Sequence, residues 1–232
     1  MLLKRRWRKT LTEKPKNSSI SVKTRNINLL NPKPDLIREA ARVIRGGGVI
    51  VFPTRCLYGI GGDALNFNAV ERVFAIKHRP YDKPILVLIR GIEELNKLVL
   101  KVPSAAKRLM ECFWPGRVTI VFKGKDTLPD RLTAGTGKIG VRLPGHPVAA
   151  ALLNELKRPI TGTSANISGE AGCWRISDLP PGIVEEVDLL LDAGTLKGGT
   201  GSTVVDVTED PPKILREGEV AEKEIFRAIG RQ

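Results

Sequence analysis

"KHRPYDKP", residues 77–84, places three cations, Lys77, Arg79 and Lys83, in eight residues stiffened by two prolines. An arginine fork and lysine point charges held this way suit the oxygens of a triphosphate. The same cations would also complement the dipole at the end of a preceding helix, so a structural reading stays open. A second segment, "PITGTSANISGEAG" (159–172), sets Thr161, Thr163, Ser164, Asn166 and Ser168 among three glycines where a strand ends. Hydroxyls, an amide and main-chain N–H groups there could receive a carboxylate, a phosphate or a nucleobase. "FPTRCLYGIGG" (52–62) is a sharp turn whose backbone a ligand could approach closely, though alone it reads as an ordinary strand-to-loop turn. "GGTGSTVVDVTEDPPKILREG" (198–218) runs from glycines through Ser202 and Thr203 into a strand, and on to Arg216. Arg142, in "GVRLP", lies in a predicted strand between apolar neighbours. If buried it needs an anion, which a core carboxylate or a substrate could supply.

Several chemistries are excluded. Ser164 has no neighbouring His–Asp pair and no G-x-S-x-G elbow, so a serine hydrolase is rejected. The glycines at 198–201 lack the Gly-Lys-Ser/Thr of a phosphate-binding loop and precede no helix, which also excludes a dinucleotide fingerprint. Three scattered cysteines and two distant histidines fit no metal or disulfide spacing. Trp114-Pro115-Gly116 reads as a turn wedged into the core in preference to a base-stacking platform. His146 belongs to a helix N-terminus and is given no role.

These segments need a scaffold, and the pattern supplies one. "NPKPD" (31–35) reads as a boundary, with Asp35 placed to cap the next helix. Leu36, Ile37, Ala40, Ala41 and Ile44 then recur at helical spacing until Gly46–Gly48. Helices are also predicted over 68–80, near 92–100, over 103–113 and 146–156, and near 220–229. Strands are predicted at 49–54, 85–89, 117–124, 138–144, 160–164, 188–192, 202–207 and 213–216. Strands alternating with helices imply one α/β domain with a central sheet. The chemistry-bearing segments fall at strand ends and helix starts, where ligands bind in such folds.

The chain has 232 residues and a net charge of +13, but residues 1–33 hold ten lysines and arginines against one acid, Glu13. The reading is a basic, flexible extension over 1–33 and a domain over 34–232. Such an arm is attracted to polyanions, RNA above all, or serves only as a solubilising extension. A mitochondrial presequence is a weaker alternative, because no clear amphipathic face can be drawn. No apolar run reaches the roughly 18–20 residues of a membrane span, and no secretory signal is visible, so cytoplasm is the expectation.

Taken in order, "PTRCLYGIGGDA", "KHRPYDKPI", "FWPGRVTIVF", "IGVRLPGHP", "TGTSANISG", "GSTVVD" and "ILREG" resemble the YrdC family over roughly residues 36–218. The resemblance implies a single twisted, open, mixed α/β sheet with flanking helices and a concave basic cavity. It also implies an activity, L-threonylcarbamoyladenylate synthase, a nucleotidyltransferase. That enzyme joins L-threonine, bicarbonate and ATP, releases pyrophosphate, and feeds a threonylcarbamoyl-transfer complex that modifies tRNA. By resemblance, Thr54, Cys56, Arg142, Thr163 and Ser202 would hold threonine. Arg79, Lys83, Lys138, Ser164, Ala165, Asn166 and Arg216 would hold ATP, with Lys77 and Arg79 acting on the phosphates and Mg2+ carried chiefly by ATP oxygens. The chain departs from the family pattern at Arg55, where an acid is common, at Cys56, where threonine is common, and at Leu88, where some members have histidine. These departures and the basic arm motivate an alternative, a non-catalytic member binding double-stranded RNA or tRNA. A carbamoyl-transfer domain of the hydrogenase-maturation type ranks third.

Overall fold

A computed structural model describes residues 22–230. The elements run β1 (Lys23–Asn26), α1 (Pro34–Arg45), β2 (Ile50–Pro53), β3 (Tyr58–Gly61), α2 (Phe67–Ile76), β4 (Val87–Leu88), α3 (Leu95–Leu98), α4 (Ser104–Phe113) and β5 (Val118–Lys123). They continue with α5 (Asp130–Thr133), β6 (Lys138–Arg142), α6 (Pro147–Leu156), β7 (Ile160–Thr161), β8 (Thr163–Ser164), α7 (Pro181–Glu186), β9 (Leu189–Asp192), β10 (Thr203–Asp206), β11 (Lys213–Arg216) and α8 (Glu222–Ala228). No helix among the described residues is long and apolar enough to cross a membrane.

The strands form two mixed sheets where the sequence and the resemblance predict one. Five strands run in the order β1-β9-β2-β3-β8, and six in the order β11-β10-β5-β6-β4-β7. The difference arises at residues 160–164, predicted as one strand. Ile160 and Thr161 pair antiparallel with β4, while Thr163 and Ser164 pair antiparallel with β3. Between them Gly162 donates its N–H to Leu86 O at 2.8 Å. The hydroxyl-rich segment is therefore the place where the chain steps from one sheet to the other.

The predicted boundary at residue 33 shifts. β1 pairs in parallel with β9, from Lys23 with Leu189 to Asn26 with Asp192, and Ile27 is buried in the core behind it. Lys23 and Arg25 thus belong to the sheet, and Arg25 forms an ion pair with Glu39 of α1 at 3.1 Å. The rest of the basic arm, residues 1–21, lies outside the described residues.

α1 begins at Pro34, which suits a first helical position because its missing N–H would have no partner there. Asp35 lies in the first turn and makes no capping bond. The stripe Ile37, Ala40, Ala41 and Ile44 is buried with Val148, Ala149, Leu152 and Leu153 of α6 in one cluster over β2 and β9. Each large aliphatic chain removed from water contributes about 1.5–3 kcal/mol. A larger cluster joins α2, α4 and α8 to both sheets. Trp114 lies in that cluster, its indole N–H donating to Val118 O at 2.7 Å, so of the Trp-Pro-Gly turn the tryptophan belongs to the core while Pro115 is exposed.

His146 stands just before α6, with a buried Nδ1 that has no hydrogen-bond partner. Burial pushes its pKa down to about 4 from an ordinary value of 6.5. As pH falls through that window the unfolded chain takes up a proton that the folded chain resists. The stability linked to this group is complete above about pH 6.5 and declines towards pH 4. A His146→Asn variant is expected to show a shallower loss of urea midpoint between those two pH values.

Candidate active site

One cavity of about 940 Å³ opens between the sheets, lined from β2, β3 and β8 on one side and β4, β5, β6, β10 and β11 on the other. This is the upper end of the range for small-molecule sites, roughly 300–1,000 Å³, with room for a nucleotide and a second small substrate. Arg79, from the loop after α2, Arg142, from the end of β6, and Arg216, from the end of β11, all reach it. Thr163 and Ser164 of β8 form part of the wall, with Ser168 and Gly169 beyond them.

Each arginine is aimed by main-chain carbonyls. Arg79 donates from Nε to Lys83 O at 2.9 Å and from Nη2 to Pro84 O at 2.7 Å. Arg142 donates from Nε to Gly116 O at 2.6 Å, so the Trp-Pro-Gly turn is what orients it. Arg216 donates from Nη2 to Ser202 O at 2.7 Å, and Ser202 Oγ lies 2.8 Å from Thr119 Oγ1. Burial pulls all three guanidinium pKa values down, and the charge of Arg216 adds to the effect at Arg79. An arginine stays charged regardless. Carbonyls orient these groups without neutralising them, so the cavity carries a standing demand for anions.

The segment that steps between the sheets is held from below by Lys77. Its side chain is 1% exposed, and Nζ donates to Ser164 O at 2.5 Å and to Asn166 O at 2.6 Å. Burial, then the Arg79 charge, bring its pKa down to about 7. Asn166 is buried, with Nδ2 donating to Ile167 O and Glu170 O, and its Oδ1 has no partner.

A model of the Sua5/YciO/YrdC family, described as "Telomere recombination", matches residues 42–218. The threonylcarbamoyl-AMP synthase of Pyrococcus abyssi is 38% identical over 194 residues, covering 84% of this chain and 57% of that protein. The uncharacterized protein YciO of Escherichia coli is 36% identical over 193 residues, covering 81% of this chain and 91% of its own length. The chain belongs to the Sua5/YciO/YrdC family. The crystal structure of P. abyssi Sua5 complexed with L-threonine superposes with a TM-score of 0.83 at 36% identity, over 90% of this chain and 61% of that one. E. coli YciO superposes with a TM-score of 0.77 at 33% identity, over 88% and 99%. The chain spans little more than half the length of the P. abyssi synthase and of a second synthase, from Bacillus subtilis.

Within this family fold, the residues singled out in the sequence take different places around the cavity. Lys77 borders the cavity but is 1% exposed, with its ammonium donating to the carbonyls of Ser164 and Asn166. Lys83 has an exposed side chain outside the cavity lining, and it contributes only the carbonyl that orients Arg79. Ala165 is buried in the core, outside the cavity lining, and gives its N–H to Tyr58 O at 2.9 Å. Cys56 lines the cavity, but its thiol is engaged with Glu219 Oε1 at 2.9 Å. Lys138 reaches the cavity edge already paired with Asp206 at 2.9 Å and Glu209 at 3.3 Å, and the Asp206 bond raises its pKa. Thr54 also lines the cavity, its Oγ1 donating to Leu57 O at 2.6 Å. Ser202 and Asn166 border the cavity while being almost wholly buried.

Two wall residues escape the sequence reading. Trp174 is exposed at the cavity lining, although it lies in a stretch without regular pattern. Glu219, just past "ILREG", looks like one more surface acid, yet its side chain is only 14% exposed. A carboxylate one residue beyond a tight Gly218 turn is the one signal that could have marked it.

Proposed function

We propose that the chain is a nucleotidyltransferase that converts L-threonine, bicarbonate and ATP into threonylcarbamoyl-AMP and pyrophosphate. The observation that carries this reading is the convergence of Arg79, Arg142 and Arg216, from three separate elements, on one cavity faced by Thr163 and Ser164. Relatives named threonylcarbamoyl-AMP synthase and a Sua5 structure complexed with L-threonine support the choice of substrates.

The reaction asks little covalent chemistry of the protein. The amine of threonine attacks bicarbonate and, with loss of water, gives a carbamate, whose oxygen attacks the α-phosphorus while pyrophosphate leaves in line. Catalysis then consists of alignment and neutralisation of charge. Arg142 takes the threonine carboxylate, with Thr163 and Ser202 near it. Arg79 and Arg216 hold the phosphates, and Ser164 and the main chain above Lys77 shape the floor. Among the described residues no group of three or more His, Cys, Asp or Glu could hold a metal ion, so Mg2+ would enter with the phosphates of ATP as part of the substrate. Delivery of the product to a threonylcarbamoyl-transfer complex, and contact of residues 1–21 with tRNA, belong to the same proposal.

Incubation with ATP, L-threonine and labelled bicarbonate should release pyrophosphate and yield a labelled adenylate only when all three are present. A rate equal to the protein-free control removes the reading and favours a binding role.

A further inference from the structure

Glu219 is the cavity carboxylate that the proposed chemistry leaves unused. The cavity has two others. Asp206 is taken by Lys138, and the Glu170 side chain is exposed to water. Glu219 is placed with care. Its N–H donates to Gly201 O at 2.9 Å, and its Oε1 accepts from the Cys56 thiol at 2.9 Å. Arg55 Nε stands 3.5 Å from the same oxygen, but that guanidinium is 49% exposed, so the pair is loose. No hydrogen bond reaches Oε2 among the described residues.

Arg142 is the neighbour that matters. The negative charge of Glu219 resists the fall in the Arg142 pKa that burial causes. Two opposite charges in a half-buried cavity would ordinarily close into a salt bridge. Here no ion pair within 4 Å joins them, because Arg142 Nε is tied to Gly116 O and Glu219 is tied to Cys56 and Arg55. The cavity thus holds a cation and an anion apart. An α-amino acid carries the complementary pair, a carboxylate and an ammonium on one carbon.

We propose that Glu219 is the receptor for the α-ammonium of the amino-acid substrate, paired with Arg142 as receptor for its carboxylate. The inference rests on the proposed function, since it takes the amino acid to lie in this cavity. The Cys56 thiol has a defined part in it. Burial first, and Glu219 second, raise its pKa to about 11, so it remains a donor that fixes the carboxylate's orientation. A charged donor of the same reach would neutralise the acid and spoil the site.

Calorimetric titration of the wild-type protein and Glu219→Gln tests the idea, with L-threonine, its des-amino counterpart 3-hydroxybutyrate, and ATP as ligands. The wild-type protein is expected to prefer threonine over the des-amino acid tenfold or more. In Glu219→Gln the affinity for threonine should fall at least tenfold, the preference should vanish, and ATP binding should stay as in the wild type. Threonine binding that is unchanged in the variant overturns the proposal. Tighter binding also overturns it, and marks Glu219 as a competitor for Arg142. A wild-type protein that shows no preference for the amine overturns it without recourse to any variant. Failure of the wild type to bind threonine at all removes the proposed function together with this inference.

Discussion

Lys77→Met is expected to slow pyrophosphate release by 100-fold or more and to lower stability by about 2–4 kcal/mol. Methionine fits the volume of the buried stem but cannot donate. Asn166 O would lose the donor recorded for it, and Ser164 O would keep only the N–H of Asn166. Each buried carbonyl left short of a partner costs about 1–3 kcal/mol. The activity loss follows because the segment bearing Thr163 and Ser164 rests on those two bonds. A pH series adds a signature of its own. The folded lysine has a pKa of about 7 against an ordinary 10.5. Across that interval the unfolded chain holds a proton that the folded chain has released, so wild-type stability rises with pH there. A neutral amine still has two hydrogens for its two carbonyls, so the contacts survive deprotonation. Lys77→Met should lose this rise. Urea midpoints from pH 7 to 10 and the pyrophosphate assay check the prediction, and an unaltered midpoint at pH 8 would contradict it.

Gly218→Ala should have the next largest effect, a loss of about 3 kcal/mol with a matching drop in affinity for both substrates. A Cβ at this position would lie 2.5 Å from Gly201 O, 2.5 Å from Ser202 C and 2.6 Å from Thr203 N. All three are main-chain atoms, so no side chain can swing aside. The turn is tied to the Thr203 side chain through Gly218 N–H and Val220 N–H, both donated to its Oγ1 at 3.0 and 3.1 Å. Forcing it open would carry Arg216 away from Ser202 and Glu219 away from Cys56 together. Thermal unfolding and ATP titration of the variant measure the two consequences. Leu215→Ala, at an exposed position in β11 before the turn, is the control expected to leave stability within about 0.5 kcal/mol.

Much of this architecture can be read from the residues. The short apolar runs give β2, β5, β6, β9 and β10 to within one or two positions, and the apolar stripes give α1, α2, α4 and α6. What escapes does so for physical reasons. Tyr58-Gly-Ile-Gly61 looks like a turn, yet it is β3, with glycine at 61 because a Cβ there would sit 2.1 Å from Thr161 O. That approach is made by a strand a hundred residues away, which no local pattern reports. The helices α5 and α7 are too short, at four and six residues, to show a period. β1 is hidden because its residues are polar and mostly exposed on an edge. The arginines of the cavity are legible by type, since a guanidinium among apolar neighbours needs an anion. Lys77 misleads for the same reason. Its charge suggests phosphate, and only the tertiary structure shows that carbonyls have claimed it. Glu219 is invisible in sequence because nothing local distinguishes a surface acid from one folded against Cys56.

The step that residues 160–164 make between the sheets has a consequence for how the protein can diversify. Thr161 N–H is donated to Gly62 O, Gly162 N–H to Leu86 O, and Gly62 N–H to Thr161 Oγ1, so one short seam stitches both walls largely through backbone atoms. Side chains on either wall can be exchanged without loosening the stitch. Such a scaffold is evolvable in a particular sense: its geometry is inherited from main chain, while its taste in ligands is written in a handful of replaceable groups such as Arg55, Cys56 and Glu219.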